Sequence, residues 1–450
     1  MRRYSAYKDS GVEWLGEVPE GWEVVPLKRV ASIRYGIGEP PAYQETGTPL
    51  IRATNVDAGT ISVDGLVFVN PADIPPARIL WLAPGDIIVV RSGAYTGDSA
   101  IIREEHCPAI AGFDMVVTPK GADPDFLQYA LLSAQVKVFQ LDLLRMRAAQ
   151  PHLNSQELGD CGIPLPTLSE QQAIAAFLDR ETAKIDALVE EQRRLIALLA
   201  EKRQAVISHA VTRGLNPDAP LKPSGIDWLG DIPEGWEVVP TGYRYEVQLG
   251  RMLNEARSSG DDMRPYLRVF DVQWGQINVD DLPLMDFPPE ARSRYRLRSG
   301  DLLVNEGGSY VGRSAIWRGE LEECYYQKAL HRLRPRNTNK DTAEFFYYVM
   351  DMATRRNVFI AGGNQTTIDH LTAEQLRGHR FAFPPMDEQL TIADYLAEEL
   401  PKLDALTSTA TSAITLLQER RAALISAAVT GKIDVRDLSS QSLPECLEPA

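Results

Sequence analysis

Cysteine is scarce in this chain. Cys107, Cys161, Cys324 and Cys446 are the only four in 450 residues, and no two form a C-x-x-C pair, which excludes a disulfide framework and argues against structural zinc. No apolar run approaches the roughly 18 residues that a bilayer span requires. The opening Met1-Arg2-Arg3-Tyr4-Ser5 leads into polar sequence without the apolar stretch of a signal peptide, so a cytosolic protein is expected. Positive charge is in deficit, with 47 Lys and Arg against 62 Asp and Glu and a formal charge of -15. This balance argues against a protein that coats nucleic acid through a global positive field, and it leaves local basic surfaces open. From Asp286 to Arg336 there are ten Lys or Arg against seven Asp or Glu. Arg292, Arg294, Arg296 and Arg298 alternate there as on one face of a strand, either a basic surface or a solvated edge.

Motifs of catalysis are also missing. There is no G-x-x-x-x-G-K-[ST], no H-E-x-x-H and no G-x-S-x-G. His106 and Cys107 have no partners at metal spacing. Asn70-Pro71-Ala72-Asp73 resembles the N-P-P-[FY] motif of adenine methyltransferases, but it lacks the aromatic that stacks on a flipped base and reads as a turn. With 44% apolar and 24% charged residues the composition is that of a globular protein, and the length suits about two to four domains.

What the chain does contain is itself, twice. SGVEWLGEVPEGWEVVP from Ser10 to Pro26 recurs as SGIDWLGDIPEGWEVVP from Ser224 to Pro240, with 13 of 17 positions identical. Pro49 to Leu66 then aligns with Pro265 to Leu282, Gly85 to Val89 with Gly300 to Val304, Gly93 to Ile101 with Gly308 to Ile316, and Leu165 to Gln171 with Phe383 to Gln389. A period this long makes each copy a self-sufficient unit with its own core, and two such units imply approximate twofold symmetry. In each copy the first part is rich in short β-type runs and turns, interrupted in the first by a helical stretch from Asp125 to Leu144. Trp14, Trp22, Trp228 and Trp236 flank Pro-Glu-Gly turns and are expected in the core.

Each copy ends differently, in a stretch with almost no Gly or Pro and with a heptad pattern. In the first, spacings of four and three pick out Ile174, Leu178, Glu181, Ile185, Leu188, Gln192, Leu195, Leu199, Lys202 and Val206. In the second they pick out Leu396, Glu399, Leu403, Leu406, Leu417 and Arg420. Two long helices follow, with Ser169 and Asp387 as N-caps, and Glu170 and Glu388 favoured by the dipole of the first turn. At 1.5 Å per residue a helix of about 45 residues is roughly 65 Å long and must bury its stripe on its twin. Parallel pairing would set Glu181 against Glu399 and Lys202 against Arg420, so an antiparallel pairing is expected, with Glu181 facing Arg420, Lys202 facing Glu399 and Leu195 facing Leu406.

Residues able to read a partner cluster in the G-x-Y-x-G frames. The frames match, but their contents differ, with Arg91 against Glu306 and Asp98 against Arg313. Arg, Glu, Asn and Gln discriminate base edges. The candidates in the first copy are Arg52, Asn55, Arg91, Ser92, Tyr95, Arg145, Arg147 and Gln150; in the second they are Arg268, Asn305, Glu306, Tyr310, Arg313, Gln365 and Thr366. The glycines at 93, 97, 308 and 312 let backbone come close to a partner, although a solvated hairpin is the alternative.

The doubled S-G-[VI]-[DE]-W-L-G-x-[VI]-P-x-G-W, the G-D-[IL]-[IL]-V block, the P-[LP]-x-x-x-E-Q start of each helix and the helix ends Ala210-Val211-Thr212 and Ala428-Val429-Thr430 resemble the specificity subunits of type I restriction-modification systems. The resemblance covers the chain to about Ile433. It implies an α+β protein with two homologous β-rich target recognition domains related by a pseudo-twofold and separated by two long antiparallel coiled-coil helices. The implied segments are a recognition domain at 1–165, a spacer helix at 166–214, a linker and second recognition domain at 215–383, a second helix at 384–433 and a disordered tail at 434–450. It also implies a non-catalytic cytoplasmic DNA reader. Its partners are double-stranded DNA with a bipartite target, two modification (methyltransferase) subunits that carry the S-adenosylmethionine, and in some systems restriction subunits that translocate and cleave DNA using ATP. No cofactor or metal is implied on this chain. The other readings are a stand-alone methyltransferase or nuclease, and a coiled-coil scaffold that does not touch DNA. One departure from the pattern is that the first helix ends Thr212-Arg213-Gly214 where the second ends Thr430-Gly431-Lys432. If the helices form the spacer, inserting or deleting a few residues near Gln192 changes the distance between the half-sites and leaves the half-sites themselves unchanged, as methylation mapping of the two variants would read.

Overall fold

The structure, a computed structural model, describes residues 2–142, 152–252, 258–308, 311–359 and 370–436. The chain forms two compact units, Met1–Arg193 with Thr411–Ala450, and Arg194–Ala410. This division passes through both long helices rather than between domain and helix, so each unit holds one β-rich domain and about half of each helix.

The two β-rich domains repeat one topology. In the first, a four-stranded antiparallel sheet orders Ser99–Ile101, Ile87–Val89, Met115–Pro119 and Ala31–Tyr35. In the second, the order is Ser314–Trp317, Asp301–Asn305, Leu330–Pro335 and Tyr245–Leu249. A second small sheet in each domain contains a parallel pair, Thr48–Ile51 with Ala109–Ala111 and Met263–Leu267 with Tyr325–Tyr326. The strand Glu23–Pro26 pairs with Gly162–Leu165, and Glu237–Pro240 pairs with Arg380–Phe383, so the start of each repeat is stitched to the stretch that leads into its helix. Trp22 and Trp236 are buried in the two main cores, as expected.

The helical stretch expected from Asp125 to Leu144 is broken. A helix runs over Pro124–Leu132 and stops at Ser133, which is extended, before short helical turns at Ala134–Val136 and Lys137–Asp142. The Ser133 hydroxyl donates to the Ala130 carbonyl at 2.6 Å, a local bond that competes with helix continuation. The second domain has no such serine and forms one helix, Ala343–Arg355. Arg292 and Arg294 lie on a helix, Pro289–Tyr295, so the alternating arginines are not one face of a strand.

The long helices span Leu168–Arg213 and Met386–Val429. They begin one residue before the expected caps, so Ser169 and Asp387 lie inside the first turn. Gln171 and Gln389 do the anchoring. The Gln171 side chain accepts from the Asp123 backbone N–H at 2.8 Å and donates to the Pro166 carbonyl at 2.8 Å. Gln389 accepts from the Thr342 N–H at 3.1 Å and donates to the carbonyls of Pro384 and Lys340, both at 3.0 Å. Asp123 and Thr342 are the N-caps of the domain helices, so one buried amide ties each long helix to its domain. Both long helices end on a left-handed glycine, Gly214 at φ 72° and Gly431 at φ 70°, so the one-residue difference between their ends leaves the cap intact.

The first long helix leaves the first unit for the second and the other returns, so within each unit the two segments lie antiparallel. The register differs from the expected one. There Asp186 would face Thr415, but it pairs with Arg421 at 2.9 Å; Arg203 would face Glu398, but it lies 3.5 Å from Asp404. The two ion pairs are repeat equivalents with the roles exchanged. Leu178 and Leu396 are buried and Leu417 is half-buried, whereas Leu188, Leu195 and Leu406 are 45%, 41% and 53% exposed. Lys202 and Arg420 are exposed, Glu181 pairs with Arg180 and Lys184 of its own helix, and Glu399 pairs with Lys402. One column of the heptad, through Leu178, Ile185 and Leu199, is as expected; the other runs one residue later, through Thr182 and Val189. Thr182 can be buried because its hydroxyl donates to the Leu178 carbonyl at 2.7 Å. Leucine on the outer face is what misplaced the stripe. Replacing Leu195 with Gln should therefore change stability by no more than about 0.5 kcal/mol. Gln389→Ala, which strands buried donors and acceptors, should cost about 2–3 kcal/mol, both measured by urea unfolding.

Candidate nucleic-acid interface

In the first domain the frame is built from backbone packed on backbone. A Cβ on Gly36 would lie 1.9 Å from the Gly112 carbonyl oxygen, and one on Gly112 would lie 2.7 Å from that of Ile51. This close approach fixes the Gly112-Phe113-Asp114 loop beside Arg91, which follows the strand Ile87–Val89. The Arg91 N–H donates to the Asp114 carboxylate at 3.2 Å. Burial holds the Asp114 carboxyl above its usual range, against the stabilising pull of the Arg91 and Ala53 amides. Around this loop the structure brings together Arg52, Arg91 and Ser92 with three exposed rings. The Arg52 guanidinium lies 5.3 Å from the Tyr43 ring, and that of Arg91 lies 3.8 Å from Phe113 and 4.8 Å from Tyr35. A cleft of about 150 Å³ is lined by Tyr43, Arg52, Ser92 and Phe113, among others. Tyr95 is exposed in the adjacent turn.

Asn55 does not belong to this surface. It is fully buried, accepts from the Arg52 N–H at 3.2 Å and donates to the Ser62 and Asp64 carbonyls. Asn305 is likewise buried and donates to the Val269 and Val272 carbonyls, both at 3.1 Å. Both asparagines hold turns together, because a short amide can satisfy backbone groups where no ladder reaches. The expectation of a base contact from either is corrected.

In the second domain the candidates are more tied down. Arg268 is held by two bonds to Asp271, at 2.8 and 2.9 Å, and lies 4.1 Å from the Phe270 ring. Arg313 donates to Gln273. Asp98, its counterpart in the first domain, pairs with Lys137. Of the arginine-rich run, Arg292 pairs with Asp262, Arg296 donates to the Glu322 carbonyl and Arg334 donates two hydrogen bonds to the Asp301 carboxylate. Much of the local positive charge is thus spent inside the domain. Glu306 sits at the position of Arg91, its backbone bonded to Ala329 and Leu371. Arg145, Arg147, Gln150, Tyr310, Gln365 and Thr366 lie outside the described residues.

The frame glycines divide into two kinds. Gly93 and Gly308 face open space, whereas a Cβ on Gly97 would touch Leu141 and one on Gly312 would lie 2.2 Å from the Thr354 hydroxyl. The close approach at Gly97 and Gly312 is to the domain's own helical layer. The aromatic residues Tyr35, Tyr43 and Phe113 were not singled out from the sequence; the signal that could have found them is their absence from the second copy, where Leu249 stands at the position of Tyr35. Among the described residues, no group of three or more His, Cys, Asp or Glu could hold a metal ion, and no helix is long and apolar enough to cross a membrane. Cys107, Cys161 and Cys324 are free thiols.

Chains of similar sequence and fold are known. A family model described as type I restriction modification DNA specificity domain matches twice, at residues 19–196 and 233–415. The chain is 22% identical to the StySPI specificity subunit of Salmonella potsdam and to the EcoKI specificity subunit of Escherichia coli K12, over 93% of this chain and 90% of each relative. The fold is similar to the HsdS subunit of Thermoanaerobacter tengcongensis, at a TM-score of 0.54 and 19% identity over 92% of this chain and 98% of that one. It is also similar to a chain from a structure on the assembly and conformational transition of the type I R-M system, at a TM-score of 0.66 and 20% identity over 92% and 99%.

One titratable group supports the second frame from behind. His331 is buried, its Nε2 is 2.5 Å from the Leu371 carbonyl, and burial lowers its pKa from 6.5 to about 4. The folded chain therefore requires a neutral ring, and its contribution is complete above the ordinary histidine pKa. As the pH falls from about 6.5 towards 4 the unfolded chain takes up a proton that the folded one refuses, so up to about 3 kcal/mol is lost. His331→Asn should flatten this acid limb relative to the wild type in urea unfolding between pH 4 and 7.

Proposed function

Because this chain belongs to the family of type I restriction-modification DNA specificity proteins, as the two matches covering most of its length show, we propose that it is the sequence-reading subunit of a methyltransferase complex and reads a bipartite, asymmetric DNA target. The chain is not itself an enzyme; in this family, recognition and chemistry reside on different subunits. The observation that carries the reading is that the family match falls once on each repeat, and that matched frames hold unlike polar residues. Two copies of one scaffold that differ at the surface are suited to two different half-sites. Phosphate contacts position such a domain, while base-edge contacts specify.

The partners in this reading are double-stranded DNA, two modification subunits that bind S-adenosylmethionine, and restriction subunits where the system includes them. The long helices form the scaffold on which modification subunits assemble. The first recognition site comprises Arg52, Arg91, Ser92 and Tyr95, with Arg145, Arg147 and Gln150 contributed by a segment outside the described residues. The second comprises Glu306, Arg268 and Arg313 with Tyr310, Gln365 and Thr366. The site residues and the domain boundaries at 165 and 383 are part of the proposal.

The purified chain should transfer no methyl groups, and co-expression with its modification subunit should create adenine methylation at one two-part motif. Substitutions at Arg91 and Tyr95 should alter one half of that motif, and substitutions at Glu306 and Arg313 the other, each lost base contact costing ~1–3 kcal/mol. Methylation by the single chain, or mutations in one domain that change both half-sites equally, would overturn the reading.

A further inference from the structure

The arginine at the centre of the first frame differs from the arginines of the second domain. Arg264, Arg268, Arg292 and Arg334 all have carboxylate partners. Arg91 has none among the described residues, although the buried carboxylate of Asp114 lies beside it and accepts its backbone N–H instead. Its Nε is buried without a partner, so the end of the guanidinium that can still meet a ligand is the terminal pair of nitrogens. The group is held between Phe113 and Tyr35, at 3.8 and 4.8 Å from the ring centroids, and the rings themselves are 40% and 43% exposed.

The clamp is rigid at its base. The Gly112 N–H donates to the Ile51 carbonyl at 2.8 Å, the Gly36 N–H to Asp114 at 2.9 Å and the Ile37 N–H to Ala111 at 3.2 Å. These bonds lock both ends of the loop that carries Phe113. An arginine so held has lost much of its rotamer freedom before any ligand arrives, its guanidinium lying over two aromatic rings. A phosphate is met as readily by a long flexible side chain and does not require this. A planar acceptor pair does, and in the major groove the N7 and O6 of guanine form such a pair.

We propose that Arg91, clamped by Phe113 and Tyr35, reads a guanine in the half-site bound by the first domain. This deepens the proposed function and rests on it. Among the described residues the second domain has no equivalent clamp: Leu249 stands at the position of Tyr35, Lys328-Ala329-Leu330 replaces the Phe113 loop, and Glu306 occupies the slot of Arg91. The effect is therefore confined to one half-site.

The test uses the complex of this chain with its modification subunits and the duplex target found by methylation mapping. Each guanine of both half-sites is replaced in turn by 7-deazaguanine, which removes the N7 acceptor and keeps base pairing. In the wild type, one replacement in the first half-site should weaken binding roughly 10- to 100-fold. In Arg91→Ala that penalty should vanish, and in Phe113→Leu it should shrink, while the penalties in the second half-site stay unchanged and report that the complex is folded. A penalty that persists in Arg91→Ala, uniform weakening of binding with a shallower salt dependence, or a first half-site without guanine on either strand would each overturn the assignment. A complex that shows no site-selective binding at all would instead overturn the proposed function.

Discussion

The structure depends on two buried amides. Gln171 and Gln389 stand one turn into the long helices, where backbone N–H groups lack partners, and each reaches across to the N-cap of a helix in the β-rich domain. A hydrophobic contact alone would let the helix slide or rotate on the domain. An amide that is both donor and acceptor fixes position as well as proximity, because any displacement leaves a buried polar group unsatisfied. The neighbouring glutamates play unequal parts. Glu388 accepts from the Trp236 indole at 3.0 Å, whereas the Trp22 indole is buried without a partner. Where the shared motif is most alike, the structural role is the same; one residue away, the two units already diverge.

Legibility from the sequence followed the length scale of the pattern. The repeat was evident because it extends over hundreds of residues, and the long helices because their Gly- and Pro-poor stretches exceed what a strand or turn could use. Register was not, because two heptad columns one residue apart differ only in which apolar side chain is counted. The exposed Leu188 and Leu195 score above the buried Thr182, whose place in the seam depends on a bond to its own helix. The same limit applied at the candidate interface. Asn55 and Asn305 have the chemistry of base readers, but only coordinates show that their amides are consumed by the carbonyls of adjacent turns. Phe113 and Tyr35 have the chemistry of core residues, and only coordinates show them at the surface with Arg91 between them.

The two domains show how one backbone holds different surfaces. Glycine contacts at Gly36 and Gly112, and at Gly250 against Gln327, bring the same strands to the same closeness in both. What varies is set on top of that base. One additional residue in the loop after Tyr326 and an exchange of Tyr35 for Leu249 replace an aromatic clamp by an acidic slot, with no change in strand order. Because the frame takes its stability from backbone bonds and buried brackets, the side chains set on it can differ between the two copies.

Near the start of each repeat, the end of a long helix meets the strand that precedes the buried tryptophan. In the second unit this joint is a covalent one, since Gly214 leads through Leu215 and Pro220 into Leu221–Pro223. In the first it is made without a peptide bond. Gly431, whose Cβ would lie 2.4 Å from Pro19, accepts from the Tyr7 hydroxyl at 3.0 Å; the Asp434 N–H donates to the Arg2 carbonyl at 2.9 Å, and the Arg436 guanidinium lies 4.8 Å from the Tyr4 ring. The same corner of the architecture is thus built once with a linker and once by touch. A peptide bond is therefore not what holds this corner: where the chain does not run from helix end to strand, close packing and hydrogen bonds keep the same elements together.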